Sequence, residues 1–157
     1  MREQFQRILL ACLAAASAVI GVWAGFAPRS FYGDFPGTGN PWVSPDGPFN
    51  EHLVRDVGWL NLALALVALV AAISLARAAV IAAAGAAIVA GVPHLVYHVA
   101  HLDLYGTADQ IGNVVALSLG PIVGVILLFL TVRRPGARDG STISTSTDPR
   151  PSSPSTG

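Results

Sequence analysis

Three histidines, His94, His98 and His101, recur at i, i+4 and i+7. On a helix that advances about 100° per residue, this spacing gathers all three imidazoles into one narrow arc, with Tyr97 beside it. A second group, His52, Arg55, Asp56 and Trp59, holds the same spacing, with Glu51 at the same level. Asp109 and Asn113, four residues apart, make a third patch. Such residues admit three kinds of chemistry. Imidazoles on one helix face, joined by a carboxylate from a neighbour, are a ligand set for Zn, Fe or Cu. A metal site would therefore use His94, His98 and His101, with His52, Asp56 or Glu51 completing the shell. The second reading is a pocket for a substrate or cofactor such as a quinone or a lipid headgroup. Arg55, Tyr97 and Asn113 would hydrogen-bond its oxygens, and histidine would move a proton near neutral pH. The third is a structural network in which Arg55 and Asp56 pair with Asp109, Asn113 and the histidines, Asp56 being the nearest counter-charge of Arg55. No metal-binding motif such as HExxH decides among them.

The rest of the chain is short of charge. Of 157 residues, 53% are hydrophobic and 11% charged, against about 25% charged in an ordinary soluble domain. The mean hydropathy is +0.59. Four stretches, 8–27, 57–76, 78–102 and 110–132, carry no charge at all. Each is long enough for a helix to cross roughly 30 Å of hydrocarbon. A soluble enzyme does not have this pattern. A net charge of zero with no basic patch argues against a nucleic-acid partner, and the lone Cys12 against a disulfide scaffold.

The expected fold is all-α: an integral membrane four-helix bundle, antiparallel up-down, with helices at about 8–26, 51–76, 78–102 and 110–132. One transmembrane domain would cover residues 1–134. Arg2 and Arg7 ahead of an apolar run also resemble a signal peptide. Pro28, however, directly follows the candidate cleavage segment Gly25-Phe26-Ala27, so the first stretch is read as a retained helix. Residues 135–157, of which 17 are Pro, Gly, Ser or Thr, are expected to form a disordered cytoplasmic tail.

Residues 27–50 read as a long loop whose rings, Phe31, Tyr32, Phe35, Trp42 and Phe49, suit a membrane interface. That loop should be ordered and fold over the bundle. Ser44-Pro45-Asp46-Gly47 predicts a type I turn, and Asn50 an N-cap. Ala76-Arg77-Ala78 leaves room only for a tight hairpin. Arg2, Arg7, Arg77, Arg133, Arg134 and Arg138 fall on the side of the termini, and only Arg29 and Arg55 on the other. The positive-inside rule then puts both termini in the cytoplasm of a multi-pass protein of the cell membrane. All four histidines would share one outer layer, with His94 and His98 facing the second long helix within reach of His52 or Asp56. Gly21-x-x-x-Gly25, Gly120-x-x-x-Gly124 and the Ala87/Gly91 pair predict close helix packing. Pro93 and Pro121 free the carbonyls of Val89 and Leu117. Cys12 reads as a packing residue, and Asn61 as a bond to another helix or to the loop.

The run from Gly47 to Gly58, with Glu51-His52-Leu53-Val54-Arg55-Asp56 at its centre, and the run Pro93-His94-Leu95-Val96-Tyr97-His98 resemble small four-helix DoxX-like bacterial membrane proteins, common in actinobacteria. The resemblance covers about residues 8–134. Abundant alanine, and arginine without lysine, suit a GC-rich genome. DoxX-like proteins are linked to quinol oxidation and membrane redox complexes, so the resemblance implies a redox setting. It carries over no defined catalytic residues, and the long aromatic loop departs from the shortest members. Two functions are therefore expected. One is an accessory or interaction subunit of a membrane complex, in contact with the lipid bilayer and with other membrane subunits or itself. The other is a redox- or metal-handling protein that uses the polar layer for a metal ion or a quinone. A lone transporter fits less well, since four helices without an inverted repeat leave little room for alternating access.

Overall fold

The computed structural model describes residues 1–132. Five helices follow in order: α1 (Arg2–Phe26), α2 (Pro28–Asp34), α3 (Glu51–Ser74), α4 (Arg77–Ala100) and α5 (Thr107–Val132). Short 3-10 turns cover Ser44–Asp46 and Leu102–Leu104, and no strand occurs among the described residues. The four long helices are long and apolar enough to cross a membrane, and they run up and down in an all-α bundle. The chain is thus a multi-pass membrane protein. The expected tail, 135–157, lies outside the described residues.

Two local departures have plain causes. The segment after α1 is partly helical: Ala27 breaks the first helix (φ −129°, ψ 60°), and Pro28 then opens α2. Proline suits a first helical position, where its missing N–H is not needed. Furthermore, α1 begins at Arg2 instead of near Ile8, because the polar residues of its first turns find partners. Gln6, buried, donates from Nε2 to Thr131 Oγ1 of α5 at 3.0 Å, and Thr131 donates to Leu127 O at 2.7 Å. Asn50 caps α3 as expected, accepting from Leu53 N–H at 3.1 Å.

The helices pair, α1 with α3 and α4 with α5. Small residues make each pair close. A Cβ added to Gly58 of α3 would land on the backbone nitrogen of Gly25 in α1, and one added to Gly21 would lie 2.9 Å from Leu62 N. In the other pair, a Cβ on Gly91 would meet Pro121 Cδ at 2.7 Å, and one on Gly124 would meet Ala84 O at 2.7 Å. Gly120 departs from its expected role, with open space where its Cβ would be.

Two arginines then tie α1 to α3 at both ends. Arg7 of α1 donates from Nη1 to Ala72 O at 2.6 Å and to Ile73 O at 2.8 Å, at the C-terminus of α3. Arg55 of α3 donates from Nη1 to Gly25 O at 2.5 Å, at the C-terminus of α1. The last carbonyls of a helix lack intrahelical partners and carry its negative dipole end, so a guanidinium there satisfies both needs. The antiparallel geometry makes the exchange reciprocal.

The two pairs meet at one end only. Leu10, Ala71, Ala72, Leu75, Val80, Ala83, Ala84 and Leu127 form a core that draws on all four long helices beside the α3–α4 hairpin. At the opposite end, the core of Ala24, Phe31 and Val54 draws on α1, α2 and α3, with Trp23, Phe35, Val43 and Phe49 packed on it. Neither α4 nor α5 enters it. The bundle therefore splays toward its loop end.

The two glycine environments separate in a stability measurement. Gly58→Ala forces α3 off α1 and should destabilise the detergent-solubilised protein by about 1–3 kcal/mol, as overpacking does. Gly120→Ala meets nothing and should be neutral or stabilising by up to about 1 kcal/mol. Thermal unfolding followed by helical circular dichroism reads both.

Candidate functional site: a cleft between the helix pairs

The splay leaves a cleft of about 730 Å³ between the two pairs. Its walls are mostly apolar, with Ile20 of α1, Leu64 of α3, Ala87 of α4 and Leu117 of α5 among them. Val57 and Leu119, which line it, are also exposed, so the cleft opens sideways. Phe35, Trp42, Val43 and Asp46 of the loop close its end. The polar groups that line it are Asn61, His94, His98, Asn113 and Asp46, with Ser17 and Cys12 on α1.

The loop is held over this end by hydrogen bonds to the opposite helix pair. Trp42 lies against Gly112 of α5, where an added Cβ would come within 3.0 Å of its ring. Its indole N–H donates to Asp109 Oδ1 at 3.0 Å, and Asn40 Nδ2 donates to Asp109 Oδ2 at 3.1 Å. Tyr105, between α4 and α5, donates its hydroxyl to Trp42 O at 2.9 Å and lies 3.2 Å from Asp46 Oδ2. Gln110 holds this connection in shape by donating to Leu102 O and Tyr105 O. Burial, and then the Asp46 carboxylate beside it, push the Tyr105 phenol well above its usual range. The hydroxyl therefore stays a donor. Edge-to-face contacts of Trp23 with Phe31 and Phe35, and of Phe35 with Trp42, stiffen the loop from within.

The predicted site residues divide between two surfaces. His94 and His98 line the cleft, their rings stacked at 4.8 Å between centroids. His98 is 8% exposed and Asn113 1%. His98 Nδ1 and Asn113 Nδ2 are both buried without a hydrogen-bond partner among the described residues. His101 lies outside the cleft, its Nδ1 2.7 Å from Tyr97 O and its ring stacked on Tyr97. Tyr97 is half exposed and also outside. None of Glu51, His52, Arg55 and Asp56 lines the cleft. The His52 side chain is 88% exposed and pairs with Asp56 at 3.4 Å. Arg55 pairs with Glu51 at 2.8 Å, so its counter-charge is Glu51 and not Asp56.

The expected single layer is thus two, and the cause is the rotation of α3. With Gly58 pressed on α1, the α3 residues that line the cleft are Leu53, Val54, Val57, Asn61 and Leu64, which share one face of the helix. His52, Asp56 and Trp59 occupy the far side of the helix. The expected network does not form either: Asp109 is taken by the loop, and Asn113 Nδ2 has no partner among the described residues. Among the described residues, no three of His, Cys, Asp and Glu come together as a metal shell would require. Asn61 bonds its own helix, donating to Val57 O at 2.9 Å, instead of another element. Cys12 is exposed and lines the cleft instead of packing. Asp46 and Trp42 were missed as lining residues. Their only signal was the turn and the aromatic content of a loop expected to cover the bundle.

Such a cleft can hold an elongated apolar body, with an oxygen-bearing group against Asn113 and His98. A buried polar group without a partner costs about 1–3 kcal/mol, which a ligand oxygen would recover.

Tyr105→Phe removes the hydroxyl that holds Trp42 O, and should loosen the loop by about 1 kcal/mol. Limited proteolysis within residues 37–47 reads the change. The pH dependence follows from the raised phenol: its contribution is complete below the unfolded value of about 10 and is lost as pH rises above it. The native loop should therefore become protease-sensitive above about pH 10, while Tyr105→Phe lacks that step.

No family model, curated protein or solved structure matches this chain, so the reading of the cleft rests on its own residues.

Proposed function

We propose that the protein is a membrane-embedded binding module for an amphipathic molecule with an apolar body and an uncharged, oxygen-bearing head, of the quinone class. The observation that carries this reading is the pair of buried, unpartnered nitrogens, Asn113 Nδ2 and His98 Nδ1, beside an apolar cleft of about 730 Å³. An amide nitrogen only donates, so the head must offer an acceptor to Asn113. An imidazole nitrogen donates or accepts with its tautomer, so His98 suits a carbonyl or a hydroxyl. The volume lies within the range of about 300–1,000 Å³ found for small-molecule pockets. An accessory subunit with a purely structural polar layer requires that layer to satisfy itself, and Asn113 and His98 leave it unsatisfied. A metal site would need a third ligand beyond His94 and His98. In this reading the protein sits in the cell membrane with its termini in the cytoplasm, as the arginine distribution supports, and the head of the ligand lies near the outer leaflet.

Binding and stability should move in opposite directions at Asn113. In lipid nanodiscs, a short-chain alkyl benzoquinone should quench tryptophan fluorescence saturably, and Asn113→Leu should weaken binding about tenfold, the equivalent of one lost hydrogen bond of about 1.4 kcal/mol. The same substitution removes an unpaired buried amide and should leave the melting temperature equal or higher. His52→Ala, outside the cleft, should change neither. Unaltered quinone binding by Asn113→Leu, or a loss of stability without any binding to lose, overturns the proposal.

A further inference from the structure

The cleft opens sideways through exposed lining residues, so in a bilayer it would face phospholipids in great excess over any minor lipophile. Something must keep their headgroups from Asn113 and His98. The charges at this end identify it. Among the described residues, Asp46 is the one charged side chain that lines the cleft and no arginine does; the chain has no lysine. Asp46 Oδ2 lies 3.2 Å from the Tyr105 hydroxyl, which it shares with Trp42 O, and has no cationic partner among the described residues. Tyr105 in turn lies 6.2 Å, between centroids, from the His98 ring, which places the carboxylate close to the polar end of the cleft. The two arginines near the loop are engaged elsewhere: Arg29 lies over the Phe49 ring at 4.5 Å, and Arg55 is held by Glu51 and Gly25 O.

Resting on the binding function argued above, we infer that Asp46 is a specificity-determining residue that selects the charge of the head. It repels phosphate-bearing anionic lipid heads and leaves the Asn113 amide to a neutral one. Two like charges brought together with little water between them repel strongly, and discrimination of this kind needs a repulsive element as well as an attractive one. An apolar cleft with an amide donor and no negative charge would not discriminate against a head of net negative charge.

The test compares binding of the same alkyl benzoquinone in nanodiscs of phosphatidylcholine and in nanodiscs half composed of phosphatidylglycerol. For the native protein the dissociation constant should differ by less than about twofold between the two, because the anionic lipid does not compete. Asp46→Asn keeps an acceptor for Tyr105 but removes the charge, and should weaken binding at least about fivefold in the anionic discs alone. Asp46→Glu should restore the native behaviour. Asp103→Asn, an exposed acid at the same end but outside the cleft, should leave it unchanged. Equal lipid dependence of the native protein and Asp46→Asn, with quinone bound in both, overturns the role of Asp46 and leaves the binding function standing. Absence of quinone binding to the native protein in either disc overturns both.

Discussion

The contact of Gly58 with the Gly25 backbone governs the rest of the structure. It is a backbone approach that the missing side chain of Gly58 allows, while a Cβ on Gly25 would meet the Trp59 ring, at 3.2 Å; the contact sets both the separation and the rotation of α3 on α1. From that rotation Arg55 reaches the end of α1, and Arg7 the end of α3. The same rotation turns Val54, Val57, Asn61 and Leu64 into the cleft and carries His52 and Asp56 to the outer surface. In lipid, where apolar burial offers little drive for helix association, close packing and satisfied backbone groups must supply it. The α1–α3 pair has both.

The cleft exists because two rigid pairs share a core at one end alone. Alanine dominates that core, which lets the helices converge there. At the loop end, rings from the loop take the place of a helix–helix interface, and hydrogen bonds from Trp42, Asn40 and Tyr105 span the gap. A long aromatic loop is thus the structural consequence of a bundle that does not close. It completes the fold and forms the end wall of the cleft at once, and Asp46 enters the cleft only because Tyr105 and the turn at Ser44–Asp46 place it there.

Buried polar atoms in the bundle differ in how far they are satisfied, and Arg2 Nε and Nη2, at the start of α1, also lack a hydrogen-bond partner among the described residues. At the hairpin end, Gln6 and Thr131 satisfy each other and the backbone, as buried polar groups in folded proteins do. At the cleft, Asn113 Nδ2 and His98 Nδ1 are buried and have no hydrogen-bond partner among the described residues. Both groups line the cleft of about 730 Å³ between the helix pairs.

Length, charge-free stretches and alanine-rich composition determined by themselves that this is a membrane bundle of four long helices in up-down order, because the cost of charge in hydrocarbon acts on every residue of a span. They also determined the Asn50 cap, the turn at Ser44–Asp46 and the covering role of the aromatic loop, all of which depend on neighbours in the chain. His94 and His98 were legible as a pair on one face for the same reason. What only the tertiary structure decided was which faces meet. Helical spacing places His52, Arg55 and Asp56 on one arc but does not say which way that arc points. The direction came from Gly58 on Gly25, a contact between residues 33 positions apart. The partners of Asp109, the isolation of Asn113 and the place of Asp46 in the cleft all depend on the splay of the two pairs. That splay is the sum of many side-chain fits at the hairpin end, and no local pattern in the chain encodes it.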